Sequence, residues 1–214
     1  MSVVSRGGKR QGLEIRKLVY LAILTAIVFV LQFVSMGMRT IFALTFVLMP
    51  LVIGSAVCGK WSGAWLGFVF GVAVLATGDA AAFLAVDPLG TVVTVLMKGI
   101  LAGLGAGLVY GALERVNRYL AIFVAAVVAP IVNSGVFVLG CYLFFIDALS
   151  EWVKESTYAN VHHLILFGYV GINFLIELGT NCLLSPAALR IIDVQKPRRQ
   201  RSAPSDPKLP GSES

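Results

Sequence analysis

The sequence predicts an all-α polytopic membrane protein, a bundle of six transmembrane helices with both termini in the cytoplasm. Three observations predict it. The 214 residues are 58% hydrophobic and only 13% charged, with a mean hydropathy of +0.88, where soluble domains run at about 45–50% apolar and about 25% charged. Six apolar runs, each long enough or nearly long enough for a crossing of roughly 20 residues, divide the chain. The basic residues collect between alternate runs, as orientation in a membrane requires.

In chain order, residues 1–16 are polar and basic, with Arg6, Lys9, Arg10 and Arg16, and are expected to lie in the cytoplasm. The first run, 18–36, is too long for a signal-peptide core and no small-x-small cleavage site follows it, so it reads as the first membrane helix. Runs at 42–58 and 61–77 are short and joined by Gly59-Lys60-Trp61-Ser62-Gly63, which reads as a tight helical hairpin. The linker from Gly78-Asp79 to Pro88-Leu89-Gly90 carries an apolar insert, 80–86, too short to span and suited to the membrane rim. Runs 91–112, 119–145 and 164–187 complete the membrane domain, 17–190. Residues 191–214 are polar, basic and rich in Pro and Ser, a composition expected to stay disordered.

Charge placement fixes the count. With six spans, one side collects Arg6, Lys9, Arg10, Arg16, Lys17, Lys60, Arg115, Arg118, Arg190, Lys196, Arg198, Arg199, Arg201 and Lys208, fourteen of the 17 basic residues. The other side has Arg39 and Lys154 among five acidic residues, and Lys98 stays inside a span. Both termini are therefore expected in the cytoplasm. Five or seven spans would split the basic ends. The formal charge of +6 serves orientation in the bilayer, and no nucleic-acid partner is expected.

Small residues recur at helical spacing. Gly63, Gly67 and Gly71 form one stripe, and Gly99, Gly103, Gly107 and Gly111 another. Stripes of this kind let lipid-embedded helices approach closely, here within the monomer. The pair Ala22 and Ala26 is compatible equally with internal packing and with a partner subunit.

Polar groups inside the spans carry the functional information. A charge at bilayer depth costs at least ~2.5–3.5 kcal/mol and marks function by default. Lys98 lies about eight residues, roughly 12 Å, into the fourth run. Glu177 lies near the middle of the sixth, within a stripe of Tyr169, Asn173, Glu177 and Asn181, each four apart. Asn133 sits mid-span, three residues after Pro130, which removes a backbone donor, crowds the carbonyl of Ala126 and is expected to kink its helix. These groups either form a buried Lys98–Glu177 pair with asparagines joining helices, or line a polar pocket open to the outer side. Candidate binding residues are Arg39, Lys98, Asn133, Tyr142, Asn173 and Glu177.

Other signals carry less. Gly54 to Lys60 has the outline of a phosphate-binding loop, but Trp61 stands where Ser or Thr must hold magnesium. His162-His163 reads as a surface pair, without carboxylate partners at metal spacing. Cys58, Cys141 and Cys182 read as free thiols. No metal or cofactor is expected. A membrane-embedded enzyme would need a nucleophile–base or metal constellation that these spacings do not form, so no enzyme is expected. A self-sufficient small permease or channel is the alternative reading, although no inverted sequence repeat supports it.

In order and spacing, these pieces resemble the substrate-binding S components of energy-coupling factor (ECF) vitamin transporters, over about 16–190. The resemblance rests on Ala22-x-x-x-Ala26, on Leu48-Met49-Pro50-Leu51-Val52-Ile53-Gly54 running into Gly59-Lys60-Trp61-Ser62-Gly63-Ala64-Trp65-Leu66-Gly67, on Lys98-Gly99-Ile100-Leu101-Ala102-Gly103, and on Ala129-Pro130-Ile131-Val132-Asn133-Ser134-Gly135. It implies a multi-pass protein of a bacterial plasma membrane that binds a vitamin in its outer half. It also implies docking through Ala22 and Ala26 on a transmembrane T subunit coupled to two ATPase subunits, which are the users of ATP. Substrate contacts would come from the region of Arg39 and from Lys98, Asn133 and the Asn173/Glu177 stripe. The motifs look most like the pantothenate and folate types. A buried Lys98 suits a carboxylated ligand, pantothenate ahead of folate.

Overall fold

A computed structural model describes residues 4–37 and 46–195. Among the described residues the chain is helical, without strands: α1 (Val4–Gly37), α2 (Leu48–Cys58), α3 (Lys60–Ala76), α4 (Ala81–Val86), α5 (Pro88–Leu113), α6 (Arg118–Phe144), α7 (Ile146–Trp152), α8 (Val161–His163) and α9 (Ile172–Gln195). A π-helical stretch, Leu164–Gly171, joins α8 to α9. Glu14–Ser35, Pro88–Leu113, Arg118–Phe144 and Val161–Val194 are long and apolar enough to cross a membrane. With 11 and 17 residues, α2 and α3 fall short of that length. At 1.5 Å per residue they reach about 16 and about 25 Å, against a hydrocarbon core of about 30 Å.

The α2 helix occupies the centre. Residues 48–57 are all buried, and α2 packs against α1, α3, α5, α6 and α9. A helix apolar all round is stable only when enclosed. Here one face meets Leu24, Val28, Leu66 and Phe70, and the other meets Tyr110, Ile122, Ala125 and Ile192. The turn from α2 into α3 pivots on Gly59, whose φ of 106° suits a residue without a side chain. Its N–H closes α2 on the carbonyl of Ser55 at 3.0 Å.

The glycine stripes meet each other. Gly63 of α3 faces Gly103 of α5, and Gly67 faces Gly99, so closely that a methyl group on any of the four would strike the opposing carbonyl oxygen. Gly67→Ala is therefore expected to force the backbones apart and to lower stability by about 1–3 kcal/mol or more. Gly111→Ala on the same helix meets nothing within 4 Å and is expected to gain a few tenths to about 1 kcal/mol from helix propensity. Thermal unfolding of the two purified variants beside the parent protein checks both signs.

Toward one end of the α3–α5 contact the helices leave a shared space. Gln32 of α1, Phe70 and Val74 of α3, Thr94 and Lys98 of α5, Asn133 and Phe137 of α6 and Asn173 and Glu177 of α9 face the same space there. The opposite end holds Lys60 at the α2–α3 turn and an Arg118–Asp193 ion pair at 2.9 Å. The α5 helix begins where its capping sequence dictates. Pro88 takes the first turn, and the Asp87 side chain accepts the Gly90 N–H at 3.0 Å. Asn117 caps α6 in the same way, accepting from Tyr119 and Leu120. Pro130 lies within an unbroken α6. The three cysteines are free thiols, with Cys141 buried and Cys58 and Cys182 half-buried.

Candidate functional site

The space enclosed at this end is a cavity of about 380 Å³. Its roof is aromatic. The insert 80–86 forms α4, and Phe83 of that helix is buried beneath it. The Phe83 ring meets Phe137, Phe145, Trp152 and Tyr169 edge-on, with centroids 5.0–5.7 Å apart, the arrangement aromatic quadrupoles favour. Tyr169 comes from the π-helical stretch. Gly168 there has no side chain, and a methyl group on it would crowd the Tyr158 ring at 3.2 Å. A π-helical turn of this kind widens a helix and is frequent at functional sites.

The wall is polar at a few points only. Lys98 is half-buried, with Nζ 5.8 Å from the Phe70 ring centroid and 5.4 Å from that of Phe137. An ammonium between two ring faces is held electrostatically. Glu177 is 7% exposed and lies near enough to act on Lys98 by its charge. The Asn133 amide Nδ2 donates to Glu177 Oε2 at 3.5 Å, a long bond. On the far side, Gln32 is 1% exposed. Its Nε2 donates to the Asp79 carboxylate and, at 3.4 Å, to Thr77 Oγ1. Gln32 Oε1, Thr94 Oγ1 and Asn133 Oδ1 are buried without a hydrogen-bond partner among the described residues. Leaving such a bond unmade costs about 1–3 kcal/mol, and all three atoms belong to residues that line the cavity.

Of the residues singled out in the sequence, Lys98, Asn133, Asn173 and Glu177 are brought together on this cavity. Arg39 lies outside the described residues. Tyr142 does not line the cavity. It is 38% exposed, and its hydroxyl lies 2.8 Å from Nδ1 of His162 on the outer surface. Nine residues separate it from Asn133. At 3.6 per turn that is about two and a half turns, which puts the two on opposite faces of α6. Asn181, one turn beyond Glu177, is fully buried away from the cavity. Sequence reasoning missed Gln32, Asp79 and Thr94. Gln32 had a signal, an amide in an otherwise apolar run, as did Thr94, one turn before Lys98.

The family model for the substrate-specific component of ECF transporters matches residues 16–188. The chain belongs to that family. As an ECF substrate-specific component it is a membrane protein of a transport system rather than a member of an enzyme family, and it is a substrate-binding subunit that works with T and ATPase subunits. No curated protein and no solved structure matches the chain.

Ala22 and Ala26 are both exposed on α1, whose inward face is marked by Leu24, Val28 and Gln32, four residues apart and buried. Among the described residues, nothing covers the alanine pair.

Proposed function

We propose that this ECF component binds a small carboxylated vitamin, pantothenate ahead of folate, in the cavity beneath Phe83 and delivers it with a T subunit and two ATPase subunits in a bacterial plasma membrane. One observation carries the reading: Lys98 is the one cation among the described residues lining the cavity, while each carboxylate there is engaged by an amide, Asp79 by Gln32 and Glu177 by Asn133. Among the described residues, a ligand carboxylate has one place to go, the ammonium between Phe70 and Phe137. Asn133, Asn173 and Glu177 supply the neutral and acidic contacts around it. Arg39 follows α1 and is assigned to the mouth. At about 380 Å³ the cavity is at the small end of the ~300–1,000 Å³ typical of ligand pockets, which favours pantothenate over the longer folate.

In this reading α2 and α3 are the second and third of six crossings. Because they form a hairpin, counting them as crossings or not leaves an even number, and both termini share one side. The basic residues at the end remote from the cavity favour the cytoplasm for that side, which would put the cavity in the outer half. A reporter active only in the cytoplasm is expected to work at either terminus. A silent C-terminal fusion on a membrane-inserted protein would break the even count.

Thermal shift and calorimetry on the purified protein test the ligand. Pantothenate at a hundredfold excess over its Kd is expected to add about 2.7 kcal/mol of stability. A protein indifferent to every carboxylated vitamin, or one that binds an uncharged vitamin tightly, would overturn the assignment.

A further inference from the structure

The side of α3 turned away from α5 carries an aromatic strip. Gly63, Gly67 and Gly71 bring α3 against α5. Trp61, Trp65 and Phe68, spaced four and three apart, share the opposite side and are 73%, 49% and 37% exposed. The strip runs about 10 Å along the helix. The α1 helix borders it, since the Trp65 indole Nε1 donates to Thr25 Oγ1 at 3.3 Å. Cations gather at one end of the strip. Lys60 precedes Trp61, and its Nζ lies 5.8 Å from that ring's centroid. Lys17 stands over the same turn. It lies seven residues before Leu24 on the inward side of α1, and its carbonyl is 3.7 Å from Cys58 Sγ at the end of α2. Arg16 is its neighbour. All three cations are exposed, and among the described residues none of them enters an ion pair. Of the acids at this turn, Glu14 lies nearly one turn farther out on α1. Glu114 shares a small recess with Lys60, but has Arg118 beside the same Tyr110 to balance it.

We propose that this surface, bounded by α1 and α3, binds one anionic phospholipid. The phosphate sits among Lys60, Lys17 and Arg16, the glycerol backbone lies over Trp61, and an acyl chain runs along Trp65 and Phe68. The order of the surface matches the order of the molecule. Unpaired cations come first, then an indole of the kind that settles at headgroup depth, then apolar rings reaching into the hydrocarbon. Basic residues at a membrane surface attract anionic lipids, whereas a zwitterionic headgroup brings its own cation against them. The strip also offers little to a hydrogen-bonding partner, because the Trp65 N–H is already given to Thr25. This site lies at the end of the bundle remote from the vitamin cavity and stands whichever vitamin that cavity takes.

Native mass spectrometry and thermal unfolding of the full-length protein in micelles test the site, with phosphatidylglycerol or phosphatidylcholine of the same acyl chains added. Each cation is worth about fivefold toward an anionic lipid. One phosphatidylglycerol is expected to stay bound under conditions that strip phosphatidylcholine, and to raise the thermal midpoint where phosphatidylcholine does not. Lys17→Gln combined with Lys60→Gln should cut the preference for phosphatidylglycerol about twenty-five-fold, while Lys60→Arg keeps it. Arg115→Gln removes an exposed cation at the same end of the bundle and should leave the preference unchanged. Excess inorganic phosphate should not displace the lipid, because the strip holds its chain. Equal retention of the two lipids overturns the inference. So does an Arg115→Gln protein that loses as much as the double lysine variant, which would mean a diffuse surface charge, and so does displacement by phosphate alone. A protein without lipid preference, whose Trp61→Ala and Trp65→Ala variants fail to co-purify with the T subunit, would make the strip a protein-docking face instead.

Discussion

Lys98→Ala is expected to lower the affinity for a carboxylated vitamin by about two orders of magnitude while the protein remains folded. Removing one partner of a desolvated, hydrogen-bonded charge pair costs about 2–5 kcal/mol of binding, and every 1.4 kcal/mol is about tenfold. The stability side is smaller. Lys98 contributes two ring contacts, to Phe70 and Phe137, each worth about 0.5–1 kcal/mol. Its charge also acts on Glu177, so its loss leaves a carboxylate that is 7% exposed with less compensation. The two roles separate in a double-mutant cycle with Glu177→Gln. A ligand-binding lysine gives a weak binder that Glu177→Gln does not rescue. A lysine serving only as counter-ion gives an unchanged affinity in the folded single variant, and a thermal midpoint that the second substitution restores.

The residues that set up this experiment were legible in the sequence because charge is so unusual there. Lys98 and Glu177 interrupt apolar runs, and nothing but a polar interior holds them at depth. Asn133 stood out for a similar reason. The converse is the case of α2. An apolar run reads the same whether lipid or protein covers it, since lipid tails are as apolar as leucine. The run 42–58 therefore read as a crossing without any sign of its place in the bundle, where Leu48–Cys58 is enclosed by five other helices. Phe83 shows a different limit. The insert 80–86 was recognisable as too short to span, but its aromatic contacts come from α6, α7 and the π-helical stretch, and no local pattern encodes that convergence. Tyr142 shows a third. Helical phase alone separates it from Asn133, since nine residues, about two and a half turns, put the two on opposite faces of α6.

The glycine stripes were legible in both identity and use, because a backbone contact needs small residues on both sides and both stripes were present. The same logic left Ala22 and Ala26 undecided, since no second stripe in the chain answers them. Their exposure on α1 shows why: among the described residues they have no counterpart.

Ala22→Trp or Ala26→Trp is accordingly expected to abolish uptake while leaving vitamin binding by the isolated protein unchanged. Ile23 and Ile27 flank the pair on the same exposed surface, at 51% and 39%, so two small residues one turn apart form a shallow groove between bulky neighbours. Such a groove lets a second helix approach closely, and an indole placed in it holds the backbones apart. Inside the monomer the same substitution would overpack the fold at about 1–3 kcal/mol, but both side chains point away from the core that Leu24 and Val28 enter. The thermal midpoint and the calorimetric affinity should therefore match those of the parent protein. Co-purification with the T and ATPase subunits, and vitamin uptake by cells carrying all of them, should both be lost. A tryptophan variant that still assembles and transports would remove this face from the docking surface. A variant that unfolds would mean that the pair is covered by this chain after all.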